Sequence, residues 1–254
     1  MEKDYTIRVL SRALAIMECF DNNDSKELTL KDIISETGLS KSTAFRLLLN
    51  LRDHDFLSMT VDGKFTIGNE IIRLASIAEK NDILKNEAFE ILRRFSELSD
   101  ETVILAKYDN YRAICVDKVE SQKVLKIASQ IGKTVPLFMG ATGKIISAYL
   151  SKSELKKCLP VQQKLFQQSY EEDALYKALS IIREQGYCTS LGEVDEGVAA
   201  ISVPVLGSKG RVLGSISIVG PEMRFNQNKM EELKECLVES SNALSKRMGY
   251  VDAN

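Results

Sequence analysis

The chain has a single histidine, His54, among its 254 residues. Ser-His-Asp and Cys-His catalysis and multi-histidine metal chemistry are thereby all but excluded. Its five cysteines (Cys19, Cys115, Cys158, Cys188, Cys236) stand singly, with no C-x-x-C pair and no histidine at ligand spacing. Neither a disulfide framework nor a zinc site is expected, and no metal or cofactor. Long apolar runs are missing too: none approaches the roughly 18 residues of a membrane-spanning helix. The opening Met1-Glu2-Lys3-Asp4-Tyr5 lacks the charged-then-apolar pattern of a signal peptide, so a cytoplasmic protein without a membrane partner is expected. There is also no excess of positive charge. The net charge is −2, and residues 1–80 carry eleven basic against thirteen acidic side chains. Any contact with nucleic acid must therefore come from locally placed cations rather than from a basic domain.

What is present is enough apolar residue, 44% of the chain, for two cores. From Val9 to Phe20 apolar residues recur at helical spacing, and the helix is expected to end near Asp21-Asn22-Asn23-Asp24. Thr29 then precedes Leu30 to Thr37 with Asp32 three residues on, where a capping-box acid sits. Gly38 closes that helix, Ser40 caps the next, and Lys41 to His54 continue at helical period. Two short helices flanking a Gly38-Leu39 turn are a helix-turn-helix.

At about 100° per residue the second helix sorts into faces. Ala44, Leu47, Leu48 and Leu51 fall on the side expected to pack; Ser42, Phe45, Arg46 and Leu49 fall opposite. In a major groove Arg46 suits guanine O6/N7, Ser42 and Thr43 suit bases or phosphate, and Phe45 suits a thymine methyl. Ser40 and Lys41 stand at the helix start, where free amides favour phosphate. Two alternating strands, Phe56 to Val61 and Lys64 to Ile67, flank Asp62-Gly63 and form a wing, with Lys64 in reach of the DNA backbone. A three-helix core with a hairpin also suits a protein-interaction module. The polar, cationic helix start and the wing in this order favour DNA.

Asn69 to Lys80 form an apolar stripe expected to join the domains, and a helix from Ile83 to Leu98 has a cap at Asn81-Asp82. Strand-like runs follow at Thr102 to Tyr108, Arg112 to Val119 and Val124 to Ser129. Helices return at Ala141 to Leu150, Lys152 to Cys158 and Glu171 to Glu184. Strands recur at Tyr187 to Leu191, Ala199 to Val205 and Val212 to Val219, before a last helix from Asn226 to Met248. Strands in groups with helices between the groups predict an α+β domain on an antiparallel sheet.

Other motifs fail or stay open. Gly143-Lys144 and Gly132-Lys133-Thr134 lack the glycine five positions upstream that a phosphate loop needs, since Phe138 and Ile127 stand there. Glu193, Asp195 and Glu196, bracketed by Gly192 and Gly197, suit a solvated turn better than a metal site. Cys188 has no neighbouring cation in the sequence to lower its pKa, which favours an inert thiol over a redox sensor.

These residues resemble the IclR-type transcriptional regulators over nearly the whole chain. The resemblance is carried by Ser11-Arg12-Ala13-Leu14, by Gly38 to Thr43 with Arg46-Leu47-Leu48, and by Phe65-Thr66-Ile67-Gly68. Further on it is carried by Pro136-Leu137 with Gly143-Lys144, Gly186-Tyr187, Glu193 with Gly197-Val198, Pro204-Val205, and Ser217 with Gly220-Pro221. It implies a winged helix-turn-helix DNA-binding domain (1–68), a linker helix (69–80) and a GAF-like α+β effector-binding domain (81–254). It also implies a homodimer or dimer of dimers, an imperfect inverted repeat in double-stranded DNA as operator, and control of a catabolic operon, often as a repressor, in response to a small organic, aromatic or sugar acid. Aligning the motifs places Val124, Ile127, Ala141, Thr142, Ser190, Ala200 and Ser217 around the effector. Ala141 and Thr142 begin a helix whose open amides would favour a carboxylate. The chain departs from acid-binding members at Ser190 and Ala200, where an acid and a thiol are expected, and at Val219, where a second serine can occur. Two other classes remain open: a small-molecule enzyme, which needs a positioned acid or base, and a sensor acting through protein contacts, which would bury Phe45 and Leu49.

Overall fold

The computed structural model describes residues 7–20, 27–80, 82–167 and 169–251. The helix stop at Asp21 to Asp24 and the cap at Asn81 lie outside them. Two compact units divide at Asp82/Ile83.

In the N-terminal unit α1 (Arg8–Glu18), α2 (Leu30–Thr37) and α3 (Lys41–Asp53) precede a hairpin, β1 (Leu57–Met59) and β2 (Phe65–Ile67), and α4 (Asn69–Lys80). The start of α2 is fixed by its capping box: the Thr29 hydroxyl accepts from Asp32 N–H, and the Asp32 carboxylate accepts from Thr29 N–H. Gly38, at φ 66°, supplies the left-handed residue that ends it. Ser40 then caps α3 by accepting from Thr43 N–H. The helices and hairpin close on Ile16, Ile33, Leu48, Leu57 and Phe65, and a bridge from Leu28 to Phe65 ties the chain before α2 to the hairpin. Gly68 packs against the α3–β1 turn, where a Cβ would lie 2.1 Å from the Asp55 carbonyl oxygen. Two hydrogen bonds join there as well, Gly68 N–H to Phe56 O (2.9 Å) and Glu70 N–H to Asp55 O (3.0 Å).

The C-terminal unit is a six-stranded antiparallel sheet of order β5-β4-β3-β8-β7-β6. Its strands are β3 (Thr102–Asp109), β4 (Arg112–Val119), β5 (Thr134–Val135), β6 (Cys188–Leu191), β7 (Val198–Leu206) and β8 (Val212–Pro221). Side chains alternate across it. Val103 and Leu105 join a core with α5 (Ile83–Ser99) and α9 (Gln227–Arg247), while Ile104 and Ala106 join one with α6 (Gly140–Ser147), α7 (Lys152–Phe166) and α8 (Glu172–Gln185). Because helices cover both faces, β7 and β8 are buried almost throughout and neither has a solvent-exposed face.

Two expectations are corrected here, and one glycine gains a role. Val124 to Ser129 form no strand: β5 takes the outer edge of β4 at Ala113 and Ile114, and the chain before it is a loop held by Lys118 Nζ on the Ser129 carbonyl (2.5 Å). Helix α7 does not stop at Cys158 but runs through Pro160 to Phe166. Past the proline the helix is anchored by buried Gln162, which accepts from Leu137 N–H (2.9 Å) and donates to the Tyr111 carbonyl (3.2 Å). Gly143, finally, is a packing residue: a Cβ there would sit 1.6 Å from the Pro136 carbonyl oxygen, so α6 reaches its seat only without one.

Candidate functional site

The first candidate is the outer face of α3. Ala44 and Leu48 are buried and Leu47 and Leu51 half-buried, so the packing face lies where the helical period puts it. Ser40, Lys41, Ser42, Phe45 and Arg46 are exposed, with Phe45 46% accessible; Thr43 is half-buried. Leu49, expected on the open face, is half-buried instead. Neither Lys41 nor Arg46 has an acidic partner among the described residues. Ser40 spends its hydroxyl on Thr43, where it caps the helix and also donates to the Thr43 hydroxyl (2.9 Å). Lys64 differs from the α3 cations, because Glu27, 37 residues away in sequence, neutralises it across 3.1 Å.

The second candidate is a cavity of about 150 Å³ in the C-terminal unit, between the first turn of α6, the sheet and two loops. Of the expected effector residues it brings together Ile127, Ala141, Thr142, Ser190 and Ala200. Val124 and Ser217 do not belong. Val124 is fully exposed in the loop before β5. Ser217 shares a sheet face with Val219, which lines the cavity, but lies two residues before it on β8, fully buried, accepting from the Ser202 hydroxyl at 2.6 Å. The wall also contains Ile104, Cys115, Met139, Val198 and Val219, with a polar side made by Gln130, Lys133, Glu193 and Asp195.

The open amides expected at the α6 start are not open. Gly140 N–H donates to Glu193 Oε2 (3.0 Å) and Ala141 N–H to the Ser190 hydroxyl (2.9 Å). The other Glu193 oxygen pairs with Lys144 Nζ at 2.6 Å. Glu193 is exposed in a turn, as expected, and from that β6–β7 loop its carboxylate also caps α6. The bracketing glycines mark that loop in the sequence, but not that it folds back onto a helix 53 residues upstream.

The cysteines at the cavity are not poised as nucleophiles. Cys115 in its wall is pushed up by burial, and burial drives the nearby Cys188 thiol up to about 11, with Lys144 opposing and Glu193 assisting. Neither thiol is a thiolate near neutrality. Among the described residues no group of His, Cys, Asp or Glu is arranged to hold a metal ion, and no helix is long and apolar enough to cross a membrane.

Comparison with known proteins bears on both candidates. A model of the IclR helix-turn-helix domain matches residues 9–59, and one described as the bacterial transcriptional regulator IclR C-terminal domain matches residues 75–246. The HTH-type transcriptional regulator XynR of Escherichia coli (strain K12) is 29% identical over 248 residues, covering 96% of this chain and 98% of that protein. KdgR of the same organism is 28% identical over 235 residues, covering 90% and 89%. Among solved structures, an IclR-type regulator from Silicibacter sp. TM1040 superposes with a TM-score of 0.83 at 22% identity, covering 96% and 98%. An IclR homolog from Microbacterium hydrocarbonoxydans, complexed with 4-hydroxybenzoate, gives 0.76 at 21%, covering 94% and 98%. With both halves matched by models of one family, the chain belongs to the IclR family of DNA-binding transcriptional regulators that carry a C-terminal effector domain.

Proposed function

We propose that this protein acts in the cytoplasm as a repressor of a catabolic operon, holding an imperfect inverted-repeat operator until a small organic or sugar acid enters the C-terminal cavity. It does so without catalysing a reaction. In this reading residues 1–68 bind DNA, 69–80 are the connecting helix and 81–254 take the effector. The observation that carries it is the bare cationic face of α3: Lys41 and Arg46 exposed beside Phe45, on a helix whose opposite side is core. Arg46 reads a base edge, Ser42, Thr43 and Phe45 add contacts, and Ser40, Lys41 and Lys64 meet phosphates. The E. coli relative AllR is itself named a transcriptional repressor, and the 4-hydroxybenzoate complex is a precedent for an acidic ligand in this fold.

We propose a homodimer or dimer of dimers as the assembly, with exposed apolar residues of the same unit in support. Val9, Leu10 and Leu14 of α1 are more than half exposed, beside a groove whose α3 wall includes Thr43 and Arg46 and is left to DNA in this reading. An apolar surface of this kind marks an interaction site, and a second copy supplies the two-fold symmetry that an inverted repeat requires.

The test is fluorescence-anisotropy binding of the full chain to its own upstream region and to scrambled DNA across a salt series. Specific binding with a steep salt dependence is expected. Equal, weak binding to both sequences would overturn the reading.

A further inference from the structure

The loop between β6 and β7 lies as a strap across the first turn of α6. It begins at Gly192 (φ 63°) and ends at Gly197 (φ 75°), left-handed positions that favour glycine, and between them Glu193, Val194 and Asp195 line the cavity. Val194 sits so close over Gly140 that a Cβ there would be 2.6 Å from Val194 Cγ2. At the edge of the cavity Glu193 makes two contacts of the kind a bound carboxylate would make, one oxygen on Gly140 N–H in the lining and the other on Lys144 Nζ just outside it, while Lys133 is the lysine in the wall itself.

We propose that Glu193 is a built-in competitor of the effector: its carboxylate fills the anion position of the cavity, and an acidic effector binds by displacing it and taking over the Gly140 amide and Lys144. The proposal rests on reading this cavity as the effector site. One amide and one ammonium cannot serve two carboxylates at once, since like charges at such separation repel. The effector's apparent affinity is therefore its intrinsic affinity scaled by the fraction of molecules with Glu193 unseated. Selectivity follows. Glu193 is tethered, so its effective concentration is high, and a small anion offering only the same two contacts gains nothing over it. An acid whose remaining atoms also cover Ile104, Ile127, Val198 and Val219 adds apolar burial that Glu193 cannot match. Displacement also frees the strap to swing on its two glycines at the edge of the sheet.

The experiment uses the full-length protein and two substitutions, Glu193→Gln and Lys144→Met. Hydrogen exchange is read on peptides covering 188–198 and 136–146, and calorimetry measures binding of carboxylates from acetate to 4-hydroxybenzoate, with 4-hydroxybenzyl alcohol as the uncharged control. In the unliganded protein both substitutions should speed exchange of the strap. E193Q should bind 4-hydroxybenzoate about tenfold more tightly than the parent, the gain of removing one charge-assisted contact that must otherwise be broken. K144M should bind it more weakly, and the alcohol should not distinguish parent from E193Q. A purely structural clip would move both variants in the same direction, which overturns the proposal. So does unchanged strap exchange in E193Q, equal carboxylate affinity in E193Q and parent, or failure of every carboxylate to bind E193Q. A carboxylate that releases DNA yet leaves both peptides unchanged overturns the assignment of the cavity itself, and the proposal with it.

Discussion

In the N-terminal unit Lys41 and Arg46 stand exposed with no acidic partner among the described residues, whereas in the C-terminal unit Lys144 and the amides of Gly140 and Ala141 are all engaged by Glu193 and Ser190. Both places combine a helix start with a cation, which is the chemistry that attracts an anion. They differ in whether the protein has already answered it. A phosphate backbone can meet the α3 face without breaking any intramolecular ion pair, so association is governed by salt and charge placement. At α6 an incoming anion must first undo a contact, and that cost sets a threshold.

The largest test of this contrast removes one of the two sites at its root. Gly143→Ala drives a Cβ into the Pro136 carbonyl at 1.6 Å and should destabilise the C-terminal unit by more than about 3 kcal/mol. Gly38→Ala, also at a helix end but with open space around the new methyl, meets only the left-handed backbone and should cost about 1–2 kcal/mol. Thermal unfolding of the two variants measures the difference; equal losses would mean that α6 is not seated as described. Next in size, Arg46→Ala should weaken specific DNA by about 1–3 kcal/mol if the side chain reads a base. Lys64→Ala should cost well under about 1 kcal/mol, because Glu27 already neutralises it and exposed pairs contribute little. Anisotropy on operator DNA ranks the pair, and the reverse order would shift the reading surface from α3 to the wing.

The smallest effect concerns acid. Lys118 first and Lys126 second hold the Glu120 carboxyl down to about 2, below the ordinary 4.5. A carboxyl lowered by folding stabilises the native loop fully above its unfolded value and loses that contribution as pH falls through the folded one. Exchange of residues 120–130 should therefore stay slow at pH 5 and quicken between about pH 4.5 and 2. Loss of protection already at pH 5 would show that the cluster does not hold this loop.

Local chemistry made much of the architecture legible. The capping box at Thr29 and Asp32, the Ser40 cap, the Asp62-Gly63 turn and the face of α3 all lie within a few residues of the groups they control. What was missed depends on distant chain. Val124 to Ser129 have strand-like composition, but only the fold shows that Thr134 and Val135 hold the edge of β4. Ser217 lies on the correct face, and alternation cannot report depth along the strand or a hydroxyl partner 15 residues away. The partners of Lys64 and Gly140 are 37 and 53 residues distant, so these pairings were invisible to spacing rules.

The junction at Gly68 has a mechanical consequence. With the Asp55 carbonyl packed where a side chain would be, and two hydrogen bonds across the same turn, the root of α4 has no slack against the end of α3. Crank and shaft are joined without play: a rotation of α4 would carry α3 with it instead of being absorbed in a loose hinge.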